Sequence, residues 1–360
     1  MNDGGGSAYP IIDTETHFLS RPYADLLRSR DVPPRIEDAD EDLLRYYPEK
    51  TAPEVFLSYG AALAEKFYDL DEKRLGMMEE HGISAQVVSL TIPGTDGLDG
   101  DVALEQARLA NDALAEAVKA HPGKYIGLAS LAPVHAEESA EELQRCVREL
   151  GFRGANLHSH VGDRYLDHES FRPIFAAAER LGVPINIHPT CPHASMLEPY
   201  LGYGWALAGP SLGFGHETAL EVARMLYSGL FDDHPKLQLM LGHCGEALPF
   251  WAYRLDFPYL KAHARHRKPP KLERLPSEYL AQNVWYNCSG NFYGPALRTC
   301  LEAFGADRIL FGSDYPYEQC SEAVDFLDRI EVSRADREKI AYGNACALFG
   351  LDTPATVTSG

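Results

Sequence analysis

The chain lacks several patterns that assign a sequence to a common class of protein. No uninterrupted apolar run approaches the ~20 residues that a membrane-spanning helix needs. The opening MNDGGGSAYP contains neither the basic nor the apolar part of a signal peptide. We therefore expect a soluble, cytoplasmic protein with no membrane partner. No glycine-rich GxGxxG stretch follows the first apolar run, which argues against a dinucleotide-binding fold.

The chain also lacks closely spaced cysteine pairs and has fewer basic than acidic residues. The seven cysteines are scattered without a CxxC pair, which indicates reduced, packed thiols rather than a disulfide framework or a zinc–cysteine site. Lys and Arg number 33 against 53 Asp and Glu, a formal net charge of −20. This balance argues against nucleic acid or an anionic membrane as a partner. An anionic substrate would need local positive charge from a metal ion or from placed arginines.

The chain does contain a regular alternation of strand-like and helix-like segments. Apolar or β-branched runs ending in polar residues, Gly or Pro occur at 10–18, 84–92, 124–131, 154–159, 183–188, 236–243, 283–289 and 308–314. Patterns with apolar residues three and four apart occur between them, at 101–121, 136–151, 170–182 and 216–231. Eight βα repeats predict an α/β fold, a single (β/α)8 TIM barrel, although a doubly wound open sheet uses the same alternation.

The barrel prediction also sets the domain organisation. We expect one domain over residues 1–360, because the length only moderately exceeds the ~250 residues typical of the fold. Residues 19–70 form an insertion after the first strand, where a barrel places its active-site loops. The tail 353–360 is expected to be disordered.

Polar side chains collect at the ends of the predicted strands. Glu15 and His17 share one face of the first strand, because side chains in a strand alternate. His188 ends the fifth strand and Asp314 ends the eighth. The carboxyl ends of parallel barrel strands meet at one mouth, so we expect these four residues to converge. Two imidazoles and two carboxylates suit a divalent cation, whereas an exposed edge strand is the alternative for Glu15 and His17 alone.

Further histidines follow other strands. His158 and His160, in NLHSH, lie two apart after the fourth strand and are candidates to face the substrate or to support the metal ligands. His243 ends the sixth strand, and Glu246 follows within plausible hydrogen-bond reach. A carboxylate on one imidazole nitrogen raises its basicity and fixes its orientation, which predicts a general acid/base pair. The alternative is that Glu246 starts a helix, where the helix dipole favours a negative charge. The two explanations are compatible.

With these residues assembled, the chain resembles the amidohydrolase superfamily (amidohydrolase family 2). The resemblance is closest to its metal-dependent aromatic acid decarboxylase branch, typified by γ-resorcylate and 5-carboxyvanillate decarboxylases. It rests on ETHF, GFRGANLHSHVGDRYLD, INIHPT, GFGHETALEVARMLYSGLFDDHPKLQLMLGHCGEALPFWAYRLD, SGN and RILFGSDYPYE. Hydrolases of the superfamily typically open with HxH, whereas this branch often opens with ExH, as Glu15-Thr16-His17 does here.

The resemblance implies a manganese or zinc enzyme. Glu15, His17, His188 and Asp314 would bind one ion, and the carboxylate in place of an imidazole favours Mn²⁺ over Zn²⁺. The metal would chelate the carboxylate and phenolate of an ortho-hydroxybenzoate. Asp314 would protonate the carboxylate-bearing carbon so that CO₂ leaves, and His243 with Glu246 would manage the phenol proton or the ring charge. The expected activity is thus that of a carboxy-lyase in aromatic compound catabolism.

The resemblance also suggests residues that contact the substrate. Arg254 is similar to an arginine that reaches a substrate carboxylate, in some relatives across a subunit interface, although an ion pair with Asp256 or Glu246 is an alternative. The insertion departs from the relatives, and its residues are candidates to line the pocket. The full set of substrate-binding predictions is Arg254, His158, His160, Tyr23, Asn291 and Tyr317. A homo-oligomer, dimer or tetramer, is expected by resemblance.

Two other functions are compatible with the same residues. A metal hydrolase or hydratase acting on a lactone, amide or ring-opened acid would use Asp314 to deprotonate a metal-bound water. A barrel that binds a ligand without chemistry is the third possibility. The substituents of the aromatic ring are not determined by the sequence.

Overall fold

The computed structural model describes residues 9–40, 43–47, 56–264 and 271–354, and a sheet of eight parallel strands forms its centre. The strands are β1 (Ile11–Phe18), β5 (Ile83–Leu90), β6 (Tyr125–Ser130), β7 (Gly154–His158), β10 (Ile185–His188), β11 (Leu239–Leu241), β12 (Val284–Asn287) and β13 (Ile309–Leu310). Each pairs with the next in this order. All eight predicted strand segments are present, and the predicted (β/α)8 barrel is confirmed.

Hydrogen bonds between β1 and the segment after β13 close the sheet into a barrel. The backbone N–H of Asp314 donates to the carbonyl of Glu15 at 2.9 Å, and that of His17 donates to Tyr315 at 2.7 Å. Thr16 and Tyr315 also form a parallel bridge. The two ends of the eight-strand series therefore meet at a seam, which we define as the contact between β1 and residues 311–315.

Helices surround the strands. They are α1 (Arg21–Arg28), α2 (Ala61–Tyr68), α3 (Glu72–Glu80), α4 (Gly100–Ala120), α5 (Ala136–Arg148), α6 (Arg172–Leu181), α7 (Trp205–Ala208), α8 (Gly213–Tyr227), α9 (Leu230–Asp233), α10 (Leu248–Ala264), α11 (Pro276–Asn283), α12 (Gly294–Phe304), α13 (Cys320–Arg329), α14 (Arg334–Glu338) and α15 (Asn344–Phe349). Four of them, α4, α5, α6 and α8, lie at the segments where the periodicity predicts helices. None of the described helices is long and apolar enough to cross a membrane. The strands are buried on both faces, as all eight residues of β5 show, because helices cover the outside of a parallel barrel.

The insertion folds into its own small layer. Its strands β2 (Arg35–Asp40), β3 (Leu43–Tyr47) and β4 (Leu57–Gly60) form an antiparallel sheet between α1 and α2. A second small sheet pairs β8 (His160–Val161) with β9 (Arg164–Tyr165) after β7. Residues 355–360 of the predicted tail lie outside the described residues, so the disordered tail and the single-domain assignment stay predictions.

Apolar packing fills the end of the barrel where the strands begin. Ile12, Val87 and Leu128 from three strands pack in one cluster with Ala345 and Phe349 of α15. The C-terminal helix therefore covers this end, and polar side chains are concentrated at the other end, where the strands finish.

Candidate metal centre and active site

Four side chains from three strand ends come together at the barrel mouth. Glu15 and His17 lie on β1, His188 is the last residue of β10, and Asp314 follows β13. Each offers one ligand atom, and these atoms all lie within 4.8 Å of one another. Glu15, His17 and His188 are buried, and Asp314 is partly exposed. The structure thus brings together the four residues that the sequence predicts as metal ligands.

The hydrogen bonds of Glu15 fit a metal ion. Its Oε2 accepts from Asn287 Nδ2 and from Ser289 Oγ, both at 2.6 Å. Its Oε1 is buried and has no hydrogen-bond partner among the described residues, and His188 Nε2 is 3.8 Å away. A buried carboxylate oxygen without a partner is costly, and a cation bound at Oε1 removes that cost.

Both imidazoles of the cluster are held through the nitrogen that would not bind the metal. His188 Nδ1 donates to the carbonyl of Pro189 at 2.8 Å, and His17 Nδ1 lies 3.2 Å from Ser89 Oγ. In each ring Nε2 is left to face the cluster, which is the arrangement that outer partners impose on metal-binding histidines. Burial, together with the neighbouring His17, holds the pKa of His188 well below its usual range, so His188 is neutral and able to ligate.

The segment after β11 has an unusual backbone. Five consecutive residues have positive φ: His243 (53°), Cys244 (59°), Gly245 (73°), Glu246 (52°) and Ala247 (64°). Only Gly adopts this region without steric cost, and each strained residue costs on the order of 1–3 kcal/mol. Asp314 is a further case, with φ 66°. Among the described non-glycine residues, positive φ occurs at these positions alone, so the strain is confined to the site.

This left-handed segment produces a short charged contact. His243 Nδ1 donates to Glu246 Oε1 at 2.6 Å, and His243 Nε2 lies 3.7 Å from Asp314 Oδ2. Burial alone would lower the pKa of His243, but the carboxylates of Glu246 and Asp314 outweigh it and raise the pKa well above its usual range. Burial opposes ionisation of Asp314, but hydrogen bonds with His17 and His243 hold its pKa well below the usual range. His243 and Glu246 therefore form a proton-binding pair beside the cluster, and Asp314 belongs to the cluster and contacts this pair.

A cavity of about 580 Å³ opens over these residues. His188, His243, Glu246 and Asp314 line one part of it. Two predicted substrate-binding residues, Asn291 and Tyr317, also line it. Asn291 Nδ2 donates to the carbonyl of His243 at 3.2 Å, and the Tyr317 hydroxyl lies 2.5 Å from Thr91 Oγ1. The remaining wall is mainly apolar and includes Leu57, Ile92, Trp205, Leu212, Phe214 and Trp251.

The other predicted substrate-binding residues lie outside this lining. His158 donates from Nδ1 to Asp96 Oδ2 at 2.8 Å, and it lines a smaller cavity of about 120 Å³ with His160. His160 belongs to β8, so the alternation that pairs it with His158 ends when β7 ends. Tyr23 is buried on the core face of α1, where its hydroxyl donates to the carbonyl of Gly94. Contact of these three residues with a substrate stays a prediction.

Arg254 lies on the exposed side of α10 and not in the cavity lining. Within the described part of the chain it forms no hydrogen bond or ion pair, so the alternative pairing with Asp256 or Glu246 is not observed. Asp256 instead accepts from Ser277. The Arg254 guanidinium is therefore available to a group outside this chain.

Several residues of the site escaped the sequence prediction. Asn287, the last residue of β12, and Ser289, two residues later, are the two partners of Glu15, and the rule that strand ends meet at the mouth could have identified them. His216 lines the cavity from α8, where its Nδ1 contacts the Tyr200 hydroxyl at 3.0 Å. A histidine in an amphipathic helix gives no signal of this kind. Trp205, Phe214 and Trp251 likewise lie outside the strand ends, whereas Ile92 is the last residue of the predicted strand 84–92.

Comparison with known proteins gives consistent results. A family model described as Amidohydrolase matches residues 12–351. γ-Resorcylate decarboxylase from Polaromonas sp. (strain JS666) is 37% identical over 323 residues, 88% of this chain and 96% of that protein. The enzyme of the same name from Rhizobium sp. (strain MTP-10005) is 38% identical over 301 residues, 82% and 91% of the two chains. The crystal structure of 5-carboxyvanillate decarboxylase from Novosphingobium aromaticivorans, complexed with manganese and 4-hydroxy-3-methoxy-5-nitrobenzoic acid, has a TM-score of 0.86 and 34% identity, covering 98% of this chain and 100% of that one.

Proposed function

The chain belongs to the amidohydrolase family, and from that premise we propose that it is a metal-dependent, non-oxidative decarboxylase of a hydroxylated aromatic acid. The observation that carries the proposal is the buried, unpartnered Glu15 oxygen in a four-ligand cluster, beside a His243–Glu246 pair and under a cavity large enough for an aromatic ring.

The ligand set favours manganese. Two carboxylates and two imidazoles offer harder donors than a site of histidines alone, and the related 5-carboxyvanillate decarboxylase contains manganese. Glu15, His17, His188 and Asp314 would hold the ion, and it would supply a Lewis acid for the carboxylate and the ortho oxygen of the substrate.

Asp314 and His243 move the proton. Asp314 delivers a proton to the ring carbon that bears the carboxylate; the carbon–carbon bond then breaks, its electron pair restores the aromatic ring, and CO₂ leaves. One proton is consumed for each CO₂. Because its pKa is held low, Asp314 is ionised at rest and must receive a proton before each turnover. The protonated His243 imidazole, whose Nε2 lies 3.7 Å from Asp314 Oδ2, is placed to supply that proton. Glu246 stabilises that imidazolium through its 2.6 Å hydrogen bond.

Arg254 completes the site from a second copy of the chain in this proposal. An exposed apolar stripe runs along α10 beside it and includes Phe250 (74% exposed), Tyr253 (70%) and Leu260 (51%). Pairing of this stripe with a second copy would bury it and would bring each Arg254 to its neighbour. Tyr253→Asp should then shift the sedimentation coefficient toward the monomer. Arg254→Ala should raise KM with little effect on the oligomeric state.

A reducing compartment suits the cysteines. None of the seven, all of which lie in the described residues, forms a disulfide, and six are buried. This supports a cytoplasmic location, where such thiols stay reduced.

The test of the function is CO₂ release by Mn²⁺-loaded protein from a panel of ortho-hydroxybenzoates that includes 2,6-dihydroxybenzoate and 5-carboxyvanillate. Asp314→Asn should retain much of the metal and release no CO₂. The matched control, Asp307→Asn, changes an exposed aspartate that pairs with Lys339 and should turn over normally. Near-normal turnover by Asp314→Asn would refute its role. Solvent oxygen-18 in the product, without CO₂, would instead support the hydrolase or hydratase function.

A further inference from the structure

The cavity has two chemically different parts. The cluster and the acid/base pair supply its polar part. The apolar wall, defined here as Leu57, Ile92, Trp205, Leu212, Phe214 and Trp251, supplies the other. None of these six residues is a metal ligand or a member of the acid/base pair, so the proposed chemistry leaves the wall unused.

The wall is a built surface rather than a chance opening. The rings of Trp205 and Phe214 meet edge to face with centroids 5.1 Å apart. Phe214 lies in the first turn of α8, next to Gly215, where a Cβ would come 3.0 Å from Glu246 Oε2. The glycine lets α8 approach the acid/base pair closely. The aromatic wall is therefore fixed next to the reacting groups.

The volume exceeds what a simple hydroxybenzoate requires. At about 580 Å³ the cavity falls within the ~300–1,000 Å³ range that holds drug-sized ligands. A hydroxybenzoate is one flat ring with two or three small substituents. The groups that would bind the metal, its carboxylate and ortho oxygen, occupy one edge of that ring. The opposite edge is left to face the rest of the cavity.

The charges around the cavity select against a second anionic group. Among the described residues that line it there is no Lys or Arg, and the protonated His243 imidazole is already paired with Glu246 at 2.6 Å, whereas Asp314 and Glu318 contribute two further carboxylates. A second carboxylate on the ring would meet repulsion, but a neutral apolar group would not.

We propose that the preferred substrate is an ortho-hydroxybenzoate with a neutral apolar substituent, an alkyl or aryl group larger than methyl, on the ring edge opposite the carboxylate. The substituent packs against Trp205, Phe214 and Trp251. This inference rests on the proposed decarboxylase function and specifies its substrate class.

The test compares three compounds that differ only at the ring position opposite the carboxylate. They are 2,6-dihydroxybenzoate and its 4-propyl and 4-carboxy derivatives. At about fourfold per buried methylene, the propyl compound should exceed the parent in kcat/KM by roughly tenfold to fifty-fold. The 4-carboxy compound should fall below the parent.

Binding of the products gives a readout that is independent of turnover. 5-Propylresorcinol should bind more tightly than resorcinol by a similar factor in calorimetry. Two of the three tryptophans line the cavity, so binding should also change the intrinsic fluorescence. The ratio of kcat/KM for the propyl compound to that for the parent should fall toward one in Trp205→Ala and in Leu212→Ala. Leu212 is partly exposed, so its replacement should not impair folding. Tyr203→Ala, which removes a 70% exposed ring outside the lining, is the matched control and should keep the wild-type ratio.

The outcomes separate the two proposals. Equal values for propyl and parent compounds, or a preference for 4-carboxy, would overturn the substrate inference, and CO₂ release from the parent would still support the decarboxylase. An alkyl preference in binding without CO₂ release from any compound would overturn the function, and with it the substrate class.

Discussion

Ser289→Ala tests how far the metal site depends on residues that are not ligands. Ser289 Oγ donates to Glu15 Oε2 at 2.6 Å. The Asn287 amide oxygen, which accepts from the Ser289 N–H at 3.0 Å, lies 2.5 Å from Ser289 Oγ and competes for the single hydroxyl proton, but the charged Glu15 carboxylate is the stronger acceptor. Ser289 is fully buried, and a Cβ at Gly242 would come 3.0 Å from its Oγ, which indicates a filled space. Water is therefore a poor replacement for the lost hydroxyl.

The magnitude follows from that contact. A hydrogen bond to a charged group contributes about 1.5–3 kcal/mol, and outer partners of metal ligands typically change affinity by about 10- to 100-fold. Ser289→Ala should therefore weaken Mn²⁺ binding by about 10- to 100-fold. The assay is competition of the metal-free protein with a fluorescent chelator, with circular dichroism to show that the variant is folded.

Ser139→Ala is the matched control. Ser139 is equally buried, and its hydroxyl donates to the carbonyl of Ala132 at 2.7 Å, but it lies on α5. The control should lose comparable stability and keep wild-type metal affinity. Affinity within threefold of wild type in Ser289→Ala, or an equal loss in Ser139→Ala, would refute the reasoning.

Three further predictions concern the barrel around the site. Gly242→Ala would place a Cβ 2.7 and 2.9 Å from the two carboxylate oxygens of Glu15, so we expect purified protein with little manganese by elemental analysis; wild-type content would contradict this. Arg74 is fully buried and donates to the carbonyl of His17 at 2.8 Å, so Arg74→Met should lower the free energy of unfolding in urea by about 3 kcal/mol, and a loss below about 1 kcal/mol would count against it. Burial raises the pKa of Glu221 well above its usual value, so as pH rises above about 4.5 the unfolded chain releases a proton that the folded chain retains, and stability falls. Glu221→Gln should thus raise the melting temperature at pH 7, and this gain should disappear below about pH 4.5; a gain that grew on acidification would have the wrong sign.

The ligand set was predictable because it depends on two local rules. Side chains alternate along a strand, and parallel strands of a barrel finish at the same end. Glu15 and His17 follow the first rule on β1, and their convergence with His188 and Asp314, at or after the ends of two other strands, follows the second. The same reasoning correctly aligned His243 with Glu246, although it gave no indication that the intervening backbone is left-handed.

The residues whose positions differ from the expectation, or escaped it, lie where the chain leaves the strands. His160 follows a bend into a two-residue strand, and its side chain contacts the carbonyl of Cys191 rather than the main cavity. Tyr23 belongs to an amphipathic helix whose apolar side faces the core, so burial of its ring decided its position. Trp205 and Trp251 reach the cavity through helix packing, which no local pattern specifies. The lining of the cavity was thus harder to predict than the four-residue cluster.

The seam of the barrel has a consequence for folding. Three of the four ligands lie on the two segments that meet there, and His17 and Asp314 are 297 residues apart. Joining distant segments is the step with the largest loop-closure entropy, which is the slow part of forming a barrel. A cation at the cluster cross-links the chain across that closure and stabilises only the closed form. The supply of this cation in the cell should therefore set the fraction of the chain that is folded as a barrel, in addition to the role of the ion in turnover.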